Sequence, residues 1–104
     1  MTHPLDHLYD IIASRKGGDP SLSYTAKLLA AGPERCAKKF GEEAVETVIA
    51  AAAGKRGEVV TESADVLYHL LVLWAAAGVD PQEVYQTLAA REGRSGLEEK
   101  ASRR

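Results

Sequence analysis

The sequence has few of the features that would place it outside the class of small cytoplasmic proteins. Its 104 residues include one cysteine, Cys36, which excludes an internal disulfide and fits a reducing compartment. No leader pattern opens the chain, and the longest apolar run, residues 70–79, is too short to span a bilayer. A formal charge of -2 gives no basic excess, which argues against a nucleic-acid-binding protein. We therefore expect a soluble cytoplasmic protein with neither nucleic acid nor membrane as a partner.

Strand signals are also nearly absent, because β-branched residues do not alternate with polar ones and Ala, Leu, Glu and Lys dominate. The length is that of one domain with a limited core. Caps and stop signals predict helices over about 5–16, from 21 or 23 to 32, over 34–53, over 58–77, and from 81 to about 92. Residues 93–104 lack a helix-length apolar face and are interpreted as a basic tail. We expect a single all-α domain over 1–104, a bundle of four to five helices.

The predicted third helix has an apolar side and an acidic side. At 100° per residue, Glu43 and Glu46 lie together with Lys39 on one side. The opposite side is an apolar arc of Ala37, Phe40, Ala44, Val45, Val48 and Ala52. Taken alone, this pattern indicates that the acids lie on a solvated face.

The predicted fourth helix favours another interpretation, because apolar residues spread around most of its circumference and predict a buried helix. Its main polar stripe consists of Glu58, Glu62, Asp65 and His69. No Lys or Arg occurs between Gly57 and Ala90, so this helix offers its acids no local cation. Acids on a buried helix are costly unless they are paired or bind a metal. For His69 we expect a hydrogen-bonded core position, with a role beside the acids or as a base as the alternative.

The acids of the two helices are expected to face each other across a short turn. Glu43 and Glu46 are three residues apart, as are Glu62 and Asp65, so each pair lies on one helical face. In an antiparallel hairpin, residues equidistant from the turn lie level, and both Glu43 with Asp65 and Glu46 with Glu62 centre on position 54. Four facing carboxylates repel one another unless a cation neutralises them. Oxygen ligands alone suit Mg²⁺ or Mn²⁺.

Two segments carry a resemblance to a known family. GEEAVETVIAA followed by ESADVLYHLLVL resembles the EExxE…ExxD signature of the MazG-like all-α nucleotide pyrophosphohydrolases. LYDIIASRK, SYTAKLL and REGRSGLEEKASR make the chain similar, within that group, to the phosphoribosyl-ATP pyrophosphohydrolases of histidine biosynthesis. The resemblance covers the chain from about Leu5. It implies Mg²⁺-dependent cleavage of phosphoribosyl-ATP to phosphoribosyl-AMP and pyrophosphate.

The resemblance also assigns roles to residues. It implies that Glu43, Glu46, Glu62 and Asp65 are metal ligands, with Glu42 a ligand or a base beside them. Lys39, one turn before Glu43, is placed to reach a phosphate oxygen. Arg15, Lys16 and Lys27 are further candidates for phosphate binding, with a solvated side chain as the alternative. The residues expected to close over the additional ribose phosphate of the substrate are Arg91, Arg94, Ser95 and Lys100.

Two other function classes stay open at this point. A house-cleaning nucleoside triphosphate pyrophosphohydrolase would use the same acids on another nucleotide. A non-catalytic helical module would need only the apolar fourth helix. That helix also predicts a homodimer or larger assembly, because Leu70, Leu73 and Trp74 span a wider arc than a small monomer covers.

Overall fold

The structure is a computed structural model that describes residues 3–92. Within that range the chain forms five α-helices and no strand, which confirms the all-α prediction. The helices are α1 Pro4–Ser14, α2 Tyr24–Ala31, α3 Pro33–Ala52, α4 Arg56–Ala77 and α5 Pro81–Arg91. The predicted tail, with Arg94, Ser95 and Lys100, lies outside the described residues.

Local signals set the helix ends where the sequence indicated them. The Ser23 side chain accepts a hydrogen bond from the Ala26 backbone N–H at 3.1 Å and so caps α2. Asp80 caps α5, and its own backbone N–H donates to the Glu83 side chain at 3.0 Å, which completes a capping box. Gly78 ends α4 in the left-handed conformation (φ 75°), which favours glycine. Residues 53–55 connect α3 to α4, and these two helices form an antiparallel hairpin.

The core lies where α1 and α2 meet the half of the hairpin far from its turn. The fully buried side chains there are Ile12, Leu28, Cys36, Leu71, Val72 and Ala75. Cys36 is a packing residue, as expected, since its thiol is 1% exposed and donates to the Leu28 carbonyl at 3.3 Å. Burial raises the pKa of this thiol, which keeps it in the unreactive protonated form.

The apolar surfaces of α3 and α4 are only partly covered within a single chain. On α3, Val45 and Val48 of the apolar arc are 57% and 66% exposed, Phe40 and Ala44 of the same arc are half-buried, and the side carrying Glu43 faces α4. The fourth helix is not buried along its whole length, since Val60 is 57% exposed and Leu67 is 43% exposed. Periodicity identified the apolar faces correctly but not which face the neighbouring helix covers.

Helix α4 is the centre of the bundle, and α1, α2 and α3 all pack against it. By length and composition it also passes as a membrane span among the described residues, although only 22% of its most apolar window is buried. The helix carries Glu62 and Asp65 among its apolar residues. The core helix of a soluble protein passes the same test of length and composition. Of the residues expected to meet a second subunit, Leu73 and Trp74 pack against the core of their own chain.

Candidate metal centre

The predicted facing of the acids is confirmed at three of the four positions by direct convergence. One carboxylate oxygen from each of Glu43, Glu62 and Asp65 lies within 4.8 Å of the others. The hairpin produces this arrangement because its turn is only residues 53–55, with Gly54 in the left-handed conformation (φ 71°). Glu43 on α3 is thereby brought level with Asp65 on α4, which lies 22 residues later in the sequence.

The fourth acid, Glu46, lies beside these three rather than among them. A hydrogen bond with Glu46, partial burial, and the charges of Glu46, Glu43 and Asp65 raise the pKa of Glu62 from 4.5 to about 7. Burial and the proximity of Glu46 and Asp65 likewise raise the pKa of Glu43. Raised values of this kind report carboxylates too close together to be ionised at little cost. The cluster is therefore electrostatically incomplete on its own.

A divalent cation fits this cluster by its donor set and by its unpaired atoms. All the ligand atoms are carboxylate oxygens, which suit Mg²⁺, Mn²⁺ and Ca²⁺. A metal that prefers thiolate or imidazole ligands does not fit this set. Within residues 3–92, Oε2 of Glu62 is shielded from solvent and has no hydrogen-bond partner. Such an atom is costly in a folded protein unless something binds it. Glu43, Glu62 and Asp65 are thus suited to hold a cation, with Glu46 next to them.

Glu42 is oriented away from the cluster and pairs with Lys39. Their Nζ and Oε2 atoms are 3.1 Å apart, and this hydrogen bond lowers the pKa of Glu42 and raises that of Lys39. On α3, Lys39 lies one turn before Glu43 and Glu42 directly precedes it. Lys39 is therefore the basic candidate that the structure brings next to the acids, held there by Glu42.

The remaining basic candidates within the described residues lie elsewhere on the surface. Arg15 and Lys16 are exposed at the end of α1, and Lys27 is exposed on α2. Lys16 lines a separate open cavity of about 610 Å³ beside Tyr9 and Asp80. Arg91 ends α5. In one chain these residues do not join the acid cluster, so their predicted phosphate contacts stay predictions.

His69 is buried as expected, at 6% exposure, but the expected hydrogen bond is missing at Nδ1. Desolvation and the charge of Lys39 lower its pKa, so that the ring is neutral at pH 7. The Tyr24 and Tyr68 rings meet it edge-on, with centroids 6.3 and 5.0 Å away. Sequence reasoning missed Tyr24, because no spacing rule relates the start of α2 to the far face of the hairpin.

The fold and the cluster together define a class: an all-α protein with a carboxylate cluster suited to a divalent cation between two antiparallel helices. The comparisons with known proteins specify the family. A family model described as phosphoribosyl-ATP pyrophosphohydrolase matches residues 5–92. The chain belongs to this family.

Individual relatives agree with that membership over almost the whole chain. The phosphoribosyl-ATP pyrophosphatase of Parvibaculum lavamentivorans is 65% identical over 99 residues, which cover 95% of this chain and 91% of that protein. The phosphoribosyl-ATP pyrophosphatase of Paramagnetospirillum magneticum is 62% identical over 99 residues, with the same coverage. That of Paracoccus denitrificans is 59% identical over 104 residues, covering 98% of this chain and 96% of the relative.

Proposed function

We propose that this chain hydrolyses phosphoribosyl-ATP to phosphoribosyl-AMP and pyrophosphate in histidine biosynthesis, with Mg²⁺ (or Mn²⁺) as its cofactor. The family supports the substrate, since the named relatives are phosphoribosyl-ATP pyrophosphatases. The observation that carries the chemistry is the convergence of Glu43, Glu62 and Asp65 within 4.8 Å. Such a site can bind a triphosphate when cations neutralise the negative charges of both the carboxylates and the phosphates.

The roles of the residues follow from their positions. Glu43, Glu62 and Asp65 hold the cation, and Glu46 completes the set from the neighbouring position on α3. When bound, the cation neutralises phosphate charge and makes the attacking water easier to deprotonate. Lys39, fixed by Glu42, donates to a phosphate oxygen at the edge of the site. A carboxylate outside this set accepts the proton of the water, and Glu42, directly before Glu43 on α3, is the candidate.

The choice of substrate is tested by comparing phosphoribosyl-ATP with ordinary dNTPs. The proposal predicts release of pyrophosphate from phosphoribosyl-ATP in Mg²⁺, and little release in excess chelator. Faster cleavage of a dNTP would instead identify a house-cleaning pyrophosphohydrolase. Absence of any cleavage in Mg²⁺ would favour a non-catalytic helical module.

A second proposal concerns assembly: two or more copies pair through the half of the hairpin near its turn. Exposed apolar side chains occur there on both helices, namely Val45, Val48, Ile49, Val60 and Leu67. No neighbouring helix of the described chain covers them, and isologous pairing is the commonest way to bury such a face. Light scattering at micromolar concentration tests this: a mass near 11.2 kDa, that of one chain, would contradict it.

Each copy is expected to be a single cytoplasmic domain. The family supports a soluble biosynthetic enzyme, and the acids of α4 argue that this helix lies within the bundle rather than in a bilayer. Fractionation of cells that produce the tagged chain tests the location: recovery in the membrane pellet would contradict it.

A further inference from the structure

The acid cluster lies midway along the seam between α3 and α4, and the two ends of that seam differ chemically. Toward the turn, the charged residues are Lys55, Arg56 and Glu58, all exposed, and Nζ of Lys55 is 4.0 Å from Oε2 of Glu58. None of the six aromatic residues of the sequence lies between 41 and 67. Away from the turn, Lys39 and His69 are level with each other, each 15 residues from Gly54. Only this end offers groups that suit an aromatic ring.

Side chains from three helices meet at this end. The Tyr24 ring of α2 contacts His69 of α4 edge-on, and Tyr24 is near enough to Lys39 of α3 to contribute to the raised pKa of that lysine. Tyr68 is fixed by a hydrogen bond with the Thr25 hydroxyl. Tyr24 is 52% exposed, and its hydroxyl makes no hydrogen bond within residues 3–92. It therefore presents an aromatic surface to solvent and is the more easily displaced of the two tyrosines.

His69 supplies a second, independent sign that something binds here. His69 is only 6% exposed, and its Nδ1 has no hydrogen-bond partner among the described residues. An unpaired buried polar atom carries a desolvation penalty and calls for an explanation. Tyr68 is held by Thr25, so of the two rings beside His69 the half-exposed Tyr24 ring is the one that a ligand can reach.

The spacing along the seam matches the layout of a nucleotide. Lys39 precedes Glu43 by four residues, and His69 follows Asp65 by four, so both lie about 6 Å from the acids along the helix axes. This distance is comparable with the separation between the α-phosphorus and the base of a nucleotide, which the ribose spans. A substrate with its phosphates at the acids thus extends its nucleoside to one end or the other.

We propose that the nucleoside part of the substrate binds at the end formed by Tyr24, Lys39 and His69. Its base stacks on the Tyr24 ring, and the nucleoside forms a hydrogen bond with Nδ1 of His69. The leaving pyrophosphate then points toward the turn. This orientation rests on the proposed function for the identity of the substrate. Base stacking on an aromatic side chain needs only an exposed ring and tolerates modified bases.

Separate titration of AMP and of inorganic pyrophosphate, each with Mg²⁺, tests the orientation. In Tyr24→Leu, AMP affinity should fall about tenfold, as expected for loss of one base–aromatic stack, while pyrophosphate affinity stays unchanged. Leu22→Ala, at a residue 84% exposed two positions earlier, is the matched control and should alter neither. Equal weakening of both probes, no weakening of AMP, or no binding of AMP by the unaltered protein would overturn the proposal.

A measurement on the unaltered protein avoids reliance on a variant that folds poorly. The ¹⁵N shift of His69 Nδ1 should change on addition of AMP and not on addition of pyrophosphate, and the reverse pattern would contradict the orientation. Pyrophosphate release from phosphoribosyl-ATP is measured in parallel. If release occurs and the AMP results fail, the orientation alone is wrong. If release fails and the AMP results hold, the nucleoside site stands and the proposed substrate is wrong.

Discussion

The two halves of the α3–α4 hairpin have the same secondary structure and opposite properties. The half far from the turn, residues 33–40 and 68–77, contributes Cys36, Leu71 and Val72 to the core beneath α1 and α2. The half near the turn, residues 41–67, holds the acid cluster and leaves Val45, Val48 and Val60 exposed. One half is stabilised within the chain. In the other half, the acid cluster has no ion-pair partner among the described residues and the valines have no cover; a bound cation and a second copy would supply these.

This difference separates stability from function along two continuous helices. Acids that repel one another destabilise the half that holds them, and the buried half offsets that cost. Substitutions in the two halves should therefore affect different measurements.

The largest expected effect is on activity. Asp65→Asn and Glu62→Gln should each lower turnover of phosphoribosyl-ATP by about 10²- to 10³-fold while helical content stays unchanged. Each substitution removes a charged ligand of the cation that offsets the phosphate charge. Glu58→Gln, one turn before Glu62 on the same helix and paired with exposed Lys55, is the control and should retain near-normal turnover. Full activity in Asp65→Asn and Glu62→Gln would remove the basis for this site.

A large effect on stability is expected from the other half of the hairpin. Leu71→Ala should lower the free energy of unfolding by about 2–5 kcal/mol, since Leu71 is 1% exposed and its truncation leaves a cavity. Val48→Ala, at 66% exposure, should cost much less in dilute solution, and its cost should grow with protein concentration if Val48 lies between copies. Denaturant titrations at two protein concentrations measure both. Equal, concentration-independent costs would contradict the distinction between the halves.

A smaller effect is expected from the lysine at the border of the two halves. Lys39→Ala should reduce kcat/KM for phosphoribosyl-ATP by about tenfold, in the range of one charge-assisted hydrogen bond. Lys38→Ala, at the exposed neighbouring position on α3, should leave it unchanged. If the two variants behaved alike, Lys39 would have no special role at the site.

The smallest expected effect is a dependence of stability on pH in the absence of metal. Glu62 has a pKa of about 7 in the folded chain and an ordinary value of 4.5, so its protonation favours the folded state. This contribution is fully present below pH 4.5 and is lost as pH rises through 7. Glu43, Glu46 and Asp65 are the charges that face it. The melting temperature in chelator should fall over that range less steeply in Glu62→Gln, and an identical slope would show that this shift is absent.

Much of this could be predicted from sequence because the signals are local. Asp80, Pro81 and Gly78 fix helix ends, and equal distances from Gly54 bring Glu43 level with Asp65. What could not be predicted depends on which faces pack. The exposure of Val45 and Val48, the orientation of Glu42 toward Lys39, and the approach of Tyr24 to His69 follow from where α1 and α2 lie on the hairpin. Helical periodicity carries no information about that placement.

The central claim is that the acid cluster binds a divalent cation, and the melting temperature at pH 8 with and without Mg²⁺ tests it most directly. Mg²⁺ should raise the melting temperature of the unaltered protein and of Glu58→Gln by a few degrees, because a ligand that binds only the folded state stabilises it. Asp65→Asn should melt higher than the unaltered protein in chelator and respond little to Mg²⁺, since one repelling charge and one ligand are gone. An equal response to Mg²⁺ in Asp65→Asn, or no response in the unaltered protein, would contradict the account.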